Sequence, residues 1–273
     1  MHADQPSRTM GVKGNRLWLI AGTGEGPTLA QHFLELGWRL RVSVVTPAAS
    51  QPYPESPHLE MVVGALANAG ALRSLLEAAE QEGDPFQWVI DTSHPFAVRI
   101  TPAAMEATRG RPEKFLRLER PGLETPWSTP VKHLDDLAGH LGKNERLLLA
   151  IGARQLGAAV HQCRGSLLHA RVLPYPQALR QAQQAGIPAD RIACFHPTGD
   201  GAVEQALCRH WQIDSILCRQ SGGHTEALWQ QVARTLSLRL LLLERPPEPV
   251  GIERLGFKNL IERVGRPDRG SLS

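Results

Sequence analysis

The feature that most constrains the fold is a repeated alternation between short, continuous apolar runs and stretches with helical spacing. Residues 17–21 are all apolar and end at a glycine, and residues 27–36 then place Leu29 and Phe33 on one helical face. Strands that are apolar at every position are buried on both faces, as in a parallel sheet covered by helices. The alternation therefore predicts an α/β fold with parallel sheets.

The same alternation continues along the chain. Strands are predicted at residues 17–21, 40–45, 60–64, 88–91, 115–119, 146–151, 167–172, 192–195, 215–218 and 238–243. Helices are predicted at residues 27–36, 69–80, 97–108, 154–162, 176–185, 202–211 and 225–236. Each half of the chain thus repeats the strand–helix pattern of one parallel sheet.

Length and proline content indicate two domains. A chain of 273 residues exceeds the usual size of one hydrophobic core, and the proline-rich segment 121–130 has the composition of a linker. The strings LRLERP at 116–121 and LLLERP at 241–246 each end a predicted strand, which indicates two similar sheets. We predict a flexible N-terminal extension over 1–15, α/β domains over 16–125 and 126–248, and a basic tail over 249–273.

Composition excludes several classes of protein. A net charge of +3 with 5% aromatic residues is not typical of a nucleic-acid binder. No apolar run reaches the roughly 20 residues of a membrane helix, and the N-terminus lacks the apolar core of a signal peptide. We therefore expect a cytoplasmic protein without a nucleic-acid or membrane partner. The sequence leaves the oligomeric state open, and a monomer is the working expectation.

The cysteines do not indicate a metal site or a disulfide framework. Cys163, Cys194, Cys208 and Cys218 are widely spaced and form no CxxC pair. We predict that they are small, buried core residues and that the chain holds no metal.

The strongest local motif is a glycine-rich turn between the first strand and the first helix. It consists of Gly22, Thr23, Gly24, Glu25 and Gly26. A helix N-terminus offers free N–H groups to a pyrophosphate, and glycines let the backbone approach the phosphates closely. The motif departs from the usual fingerprint, because Pro27 stands where the third glycine belongs. The alternative is a tight turn that needs only glycine geometry.

The end of the second strand bears on the choice of dinucleotide. Dinucleotide-binding folds that take NAD usually carry an acidic residue there, which binds the ribose 2′-hydroxyl. In this chain, no acidic residue follows the strand until Glu55. This favours NADPH, with Thr46 as a hydrogen-bond donor.

A second polar loop, DTSHPFA at 91–97, also follows a strand. Ligands of open parallel sheets lie at the carboxyl ends of the strands, so Thr92 and Ser93 are predicted to line the cofactor site. His94 is the candidate proton donor or orienting residue. The alternative for His94 is a side chain locked by a backbone hydrogen bond in a turn.

The second half carries a similar polar turn, RQSGGH at 219–224. Arg219, Ser221 and Gly222 combine a cation, a hydroxyl and amide donors, which suits an anionic ligand. Arg154, after the first strand of the second domain, occupies the corresponding place.

Taken in order, these strings resemble the precorrin-6A reductase and cobalt-precorrin-6A reductase family. The resemblance rests on the glycine turn, DTSHPFA at 91–97, LRLERP at 116–121, ARVLP at 170–174, RQSGG at 219–223 and ERP at 244–246. It implies two Rossmann-like lobes, each a parallel sheet flanked by helices, with a cleft between them for cofactor and substrate.

The resemblance also implies an activity. Members reduce a carbon–carbon double bond of a carboxylate-rich tetrapyrrole with NADPH, as oxidoreductases of cobalamin biosynthesis. Arginines are suited to grip such carboxylates, and Arg120, Arg154, Arg171 and Arg219 are the candidates.

Two other functions remain open from the sequence. One is a methyltransferase of the same pathway that binds S-adenosylmethionine at the glycine turn. The other is a dinucleotide-binding regulator without catalytic activity.

Overall fold

The chain folds into two compact units, and each has its own parallel sheet. The computed structural model describes residues 15–163 and 165–267. The first unit contains the described residues up to Glu119 and those from Pro247 onward, and the second contains Arg120–Pro246. These limits differ from the boundaries that the sequence predicts at 125/126 and 248/249.

The first unit is a six-stranded parallel sheet with helices around it. Its strands are β1 (Arg16–Ala21), β2 (Arg39–Val44), β3 (Leu59–Val63), β4 (Phe86–Thr92), β5 (Lys114–Leu118) and β12 (Arg254–Leu255), in the order β12-β5-β4-β1-β2-β3. Its helices are α1 (Gly26–Glu35), α2 (Pro47–Ser50), α3 (Ala69–Gln81), α4 (Ile100–Thr108) and α9 (Phe257–Val264).

Both faces of this first sheet are buried. Leu17 and Leu19 of β1 pack with Phe33 of α1 in one core cluster. Trp18 and Ile20 of the same strand pack with residues of α3 and α4 in another. Because successive side chains of a strand point to opposite faces, the buried part of β1, residues 17–21, is apolar at every position.

The segment after Pro247 belongs to the first unit. Strand β12 pairs in parallel with β5, and Leu260 and Val264 of α9 are buried against the core that contains Phe33. The indole Nε1 of Trp38 donates to the backbone oxygen of Gly265 at 2.8 Å. The separate basic tail expected over 249–273 is therefore not observed in its described part, because an apolar stripe at i, i+4 spacing buries the helix.

The second unit repeats the arrangement. Its strands are β6 (Thr129–Val131), β7 (Arg146–Ala150), β8 (Leu167–Val172), β9 (Ile192–Cys194), β10 (Ser215–Arg219) and β11 (Arg239–Leu243), in the order β6-β11-β10-β7-β8-β9. Its helices are α5 (Leu156–Gln162), α6 (Pro176–Gln184), α7 (Ala202–His210) and α8 (His224–Thr235). Short 3₁₀ turns lie at Leu134–His140, Ala153–Gln155 and Ala189–Arg191.

The two sheets have the same strand order. Five consecutive strands of each unit, β1–β5 and β7–β11, lie in the spatial order 5-4-1-2-3, and an extra strand lies beside the fifth: β12 in the first unit and β6 in the second. The predicted fold class of two parallel α/β units is thus confirmed. The repeated ERP string follows the fifth strand in both units.

The predicted linker is part of the second unit. Arg245 Nη1 donates to the carbonyl of Arg120 at 2.7 Å, and Nη2 donates to that of Pro121 at 3.2 Å. Strand β6 then begins at Thr129 and pairs with β11. The guanidinium of Arg245 therefore fixes the entry to this unit, where proline content had indicated a linker.

The start of the described chain is ordered by hydrogen bonds. The carbonyl of Asn15 accepts from the N–H of Arg39 at 2.8 Å, and its amide donates to Gly37 O at 3.0 Å. The rest of the predicted extension, residues 1–14, lies outside the described residues. No helix in the described ranges is long and apolar enough to cross a membrane.

Candidate active site

The glycine turn lies at the carboxyl end of β1, directly before α1. Gly22 and Gly24 are exposed, and a Cβ on Gly24 would meet no atom within 4 Å. The hydroxyl of Thr23 is buried and has no hydrogen-bond partner in the structure. The turn therefore offers an open backbone and an unsatisfied hydroxyl beside the amino end of a ten-residue helix.

Gly26 explains why the third glycine of the motif comes one residue early. A Cβ at this position would overlap the hydroxyl oxygen of Tyr53 and come within 3.2 Å of its Cζ. Tyr53 is buried, and burial raises the pKa of its phenol. The first residue of α1 must therefore be glycine for the helix to pack on this ring. Sequence reasoning missed Tyr53, since nothing in the loop 47–57 distinguished it.

The loop after β4 lies against the glycine turn. β1 and β4 are neighbours, and Ala21 is paired with Thr92. A Cβ on Gly22 would lie 3.1 Å from Ser93 Cα and 3.3 Å from His94 N. The structure thus brings together two of the predicted motifs, and Gly22 is needed for their close approach.

The hydroxyls of this region mostly have protein partners. Thr92 Oγ1 donates to Ile20 O at 3.2 Å, and Ser93 Oγ accepts from Arg117 Nη1 at 3.2 Å. Thr46 caps α2, with its hydroxyl accepting from Ala49 N at 3.4 Å. These side chains therefore shape the edge of the sheet, and Thr23 is the predicted residue whose hydroxyl lacks a partner.

His94 has a defined ring orientation. Its Nδ1 accepts a hydrogen bond from the N–H of Phe96 at 3.1 Å. In the neutral ring, the proton then resides on Nε2. The backbone hydrogen bond that was the alternative explanation for His94 is present, and it makes Nε2–H the hydrogen-bond donor of the neutral ring.

In the second unit, Arg219 and Arg154 come together at the ends of β10 and β7. Arg219 Nη2 lies 3.4 Å from the position of a Cβ on Gly152, whose φ is +84°. Burial, with a smaller contribution from the charge of Arg154, lowers the pKa of Arg219 to about 10. Because Gly152 has no side chain, the Arg219 guanidinium can pack against its backbone, where it also lies near the positive charge of Arg154.

The turn at 221–223 is organised by two more charged residues. The buried carboxylate of Glu226 accepts from Gly222 N at 2.6 Å. Arg120 Nη1 lies 3.2 Å from the position of a Cβ on Gly223. The predicted residues Arg120, Ser221 and Gly222 thus lie close together, and Glu226 holds their turn.

Arg171 on β8 is buried, and two of its nitrogens lack a partner. Its Nε and Nη2 are both without a hydrogen bond in the structure. The guanidinium carbon lies 5.1 Å from the ring centroid of Phe195. Burial lowers the pKa of Arg171 to about 10, partly offset by the charge of Glu204. Nε and Nη2 form the side-on fork that binds a carboxylate with two hydrogen bonds.

The four cysteines are unpaired, and three of them are buried. Cys163, Cys208 and Cys218 are buried as predicted, but Cys194 is exposed because β9 is a short edge strand. Within 15–163 and 165–267, no group of three or more His, Cys, Asp or Glu residues could hold a metal.

Several residues that shape these turns were not predicted as site residues. They are Tyr53, Asp91 and Arg117 in the first unit, and Glu226 and Arg245 in the second. The signal for Asp91 and Arg117 was available, since each is an ionisable residue at or within an apolar strand. Such a residue needs a buried partner of opposite charge.

Fold and site together define a class. The chain is an α/β protein whose candidate ligand-binding groups lie at the carboxyl ends of the strands of two parallel sheets, with a glycine turn in one unit and arginines in the other. The family model described as precorrin-6x reductase CbiJ/CobK matches residues 16–264, and the chain belongs to this family. It is therefore an oxidoreductase of the precorrin-6A reductase type, in cobalamin biosynthesis.

Individual relatives agree with this assignment. The chain is 33% identical over 238 residues to a cobalt-precorrin-6A reductase of Synechocystis sp., covering 84% of this chain and 88% of the relative. It is 28% identical over 251 residues to a precorrin-6A reductase of Rhodococcus erythropolis, covering 87% and 92%. The solved structure of a CobK precorrin-6A reductase matches with a TM-score of 0.73 at 20% identity, covering 94% of this chain and all of that one.

Proposed function

We propose that this protein uses NADPH to reduce a carbon–carbon double bond of precorrin-6A or cobalt-precorrin-6A. The observation that carries the proposal is the glycine turn of the first unit, where the unpartnered Thr23 hydroxyl lies beside the amino end of α1. In a member of a reductase family, this arrangement fits the phosphates of a dinucleotide. Bound NADPH supplies the hydride.

The phosphates are assigned to backbone N–H groups of the glycine turn and to the Thr23 hydroxyl. Glu25 is the N-cap residue of α1, and its side chain makes no capping hydrogen bond. Its carboxylate repels phosphate, so we assign Glu25 to a neutral donor group of the cofactor instead. NADPH is preferred to NADH because no acid follows β2 before Glu55.

The arginines of the second unit are assigned to the carboxylates of the substrate. Arg171 has a vacant fork, and a carboxylate that accepts from Nε and Nη2 would satisfy two buried N–H groups at once. Arg120, Arg154 and Arg219, with the turn at Ser221 and Gly222, are assigned to further carboxylates. They bind and orient the macrocycle, so acceleration comes mainly from alignment.

His94 is assigned to orient the group that protonates the macrocycle. With Nδ1 accepting from the N–H of Phe96, the neutral ring offers Nε2–H as a hydrogen-bond donor that can orient the substrate and a water molecule, and the water supplies the proton. His94→Gln is expected to lower kcat on the order of a hundredfold, the usual scale of general acid catalysis. The KM for NADPH should change little. Unaltered turnover would remove His94 from this role.

The decisive experiment follows NADPH absorbance after addition of cobalt-containing and metal-free precorrin-6A in turn. Oxidation with one substrate and not the other identifies the natural one. Tryptophan fluorescence titrations with NADPH and with S-adenosylmethionine distinguish the reductase from a methyltransferase. Binding of NADPH without its oxidation by either precorrin would indicate a regulator.

The substrate arginines have a matched control. Arg171→Met is expected to raise the KM for the precorrin about tenfold or more, the scale of a lost charge-assisted hydrogen bond. The exposed Arg180→Met should leave it unchanged. Equal KM values for both variants would remove Arg171 from the substrate site. A cytoplasmic location and a monomeric state also belong to this proposal, and light scattering tests the second.

A further inference from the structure

A fully buried carboxylate lies behind the loop that follows β4. Asp91 Oδ1 accepts from the N–H of Ser93 at 2.8 Å. Its Oδ2 accepts from Thr101 Oγ1 at 2.7 Å and from Arg117 Nη1 at 2.6 Å. The carboxylate therefore ties β4 to α4 and β5, and it holds the first residue of the loop by its backbone.

Arg117 extends this network in two directions. Its Nη1 also donates to Ser93 Oγ at 3.2 Å, and its Nε lies 2.8 Å from Glu248 Oε2. Both the backbone and the side chain of Ser93 are thus fixed by one buried ion pair. Glu248 comes from the segment that returns to the first unit, so the pair joins parts of the chain far apart in sequence.

The position of Ser93 matters for the glycine turn. Ser93 Cα lies 3.1 Å from the place of a Cβ on Gly22, so the two loops are in contact. His94 follows Ser93 directly. A displacement of Ser93 by a few tenths of an ångström therefore changes both the wall of the turn and the place of the imidazole.

Stability alone does not require charges here. A buried ion pair can often be replaced by apolar residues of similar volume without loss of stability, because both charges must be desolvated. The pair supplies something that apolar packing does not: hydrogen bonds with fixed direction to the loop.

We propose that Asp91 and Arg117 are positioning residues for the reduction, because their ion pair sets the loop that carries Ser93 and His94 against the glycine turn. This inference rests on the proposed function. It predicts that loss of the pair impairs cofactor use even where the fold is kept.

The test is a double variant, Asp91→Asn with Arg117→Met, which removes both charges of the buried pair together. Glu248 also loses its partner, but its side chain is 25% exposed and can be hydrated. We expect it to remain folded, with a KM for NADPH raised about tenfold and a kcat lowered by a similar factor, since small misplacements at a reacting centre are costly. Titration of the same variant by tryptophan fluorescence should show the weaker NADPH binding without substrate.

The matched control is another ion pair of this unit, Arg111 with the buried Glu113. The side chain of Glu113 has no exposed surface, and Arg111 Nη2 lies 3.0 Å from its Oε1. Arg111 and Glu113 directly precede β5, so they lie at the amino ends of the strands. The glycine turn and the 91–97 loop lie at the opposite, carboxyl ends. Arg111→Met with Glu113→Gln should therefore leave KM and kcat at wild-type values.

The possible results distinguish a failure of the proposed function from a failure of the positioning role of Asp91 and Arg117. If wild-type protein fails to bind NADPH, the proposed function itself is wrong. If it binds and the Asp91–Arg117 double variant has wild-type KM and kcat, only the positioning role is wrong. Should the double variant not fold, Thr101→Val removes one donor to Asp91 and keeps the pair. It should raise the KM, and Thr101→Ser should restore it. A wild-type KM for Thr101→Val would then overturn the proposal.

Discussion

At the scale of single residues, the atoms around each position decide which residues of the glycine turn must be glycine. Gly26 faces the Tyr53 hydroxyl and Gly22 faces Ser93, whereas Gly24 has open space around it. The first two glycines are required by packing, and Gly24 is not. A glycine pattern in the sequence does not distinguish these roles, because the neighbours come from other loops.

Gly26→Ala should destabilise the first unit by about 1–3 kcal/mol, the usual cost of overpacking. The added methyl group would overlap the Tyr53 hydroxyl oxygen. Tyr53→Phe in the same chain should recover part of the loss, since the nearest ring atom is then 3.2 Å from the methyl group. Thermal unfolding of the single and double variants measures this. Gly24→Ala is the control, and a Gly26→Ala protein as stable as the control would contradict the packing argument.

At the scale of elements, β8 is a strand that buries polar residues within an otherwise apolar pattern. His169 and Arg171 alternate on one face of the strand, and both are more than nine-tenths buried. The His169 ring stacks on Trp211 at a centroid distance of 4.9 Å, and its Nδ1 has no partner. Burial, with a smaller contribution from Arg191, lowers the pKa of His169 below 6.5.

This makes stability depend on pH in a defined direction. As the pH falls below 6.5, His169 takes up a proton in the unfolded state before it does so in the folded state. Stability is therefore lost as the pH falls, until the folded-state pKa is passed. His169→Gln should flatten the fall in Tm with acidification, measured by calorimetry in a buffer series. The exposed His210→Gln should keep the wild-type slope, and an identical slope in both variants would be evidence against a neutral, buried His169.

At the scale of the whole molecule, the chain builds two sheets of the same order and then returns to the first. Strand β6 follows β5 in the chain but lies in the second sheet, and β12 follows the second sheet but lies in the first. The first unit is therefore completed only by the last part of the described chain, with Leu260 of α9 in its core.

Leu260→Ala tests this completion. Leu260 is fully buried, so its truncation should cost about 2–5 kcal/mol of unfolding free energy, the range for buried leucine. Val250 in the same returning segment is 93% exposed. Val250→Ala should thus change stability by less than about 0.5 kcal/mol. Denaturant unfolding compares the two variants, and equal midpoints would mean that α9 does not contribute to the core.

Much of the fold could be predicted from the sequence because burial on both faces leaves a local trace. The run 17–21 is apolar throughout, and the structure places β1 at Arg16–Ala21 in the middle of its sheet. The glycine turn and the 91–97 loop were predicted at strand ends, and the structure brings them into contact. Their binding roles, and the cleft predicted between the lobes, stay predictions.

By itself, the sequence determined the strands β1–β5 and β7–β11, that the sheets are parallel and that the candidate loops follow strand ends, because periodicity and turn chemistry act over a few residues. Only the tertiary structure decided that Arg117 pairs with Asp91 and Glu248, that Tyr53 requires Gly26, and that the last described segment closes the first sheet. A two-residue strand such as β12 has no periodicity of its own. Contacts across more than a hundred residues depend on the path of the whole chain, which local pattern does not encode.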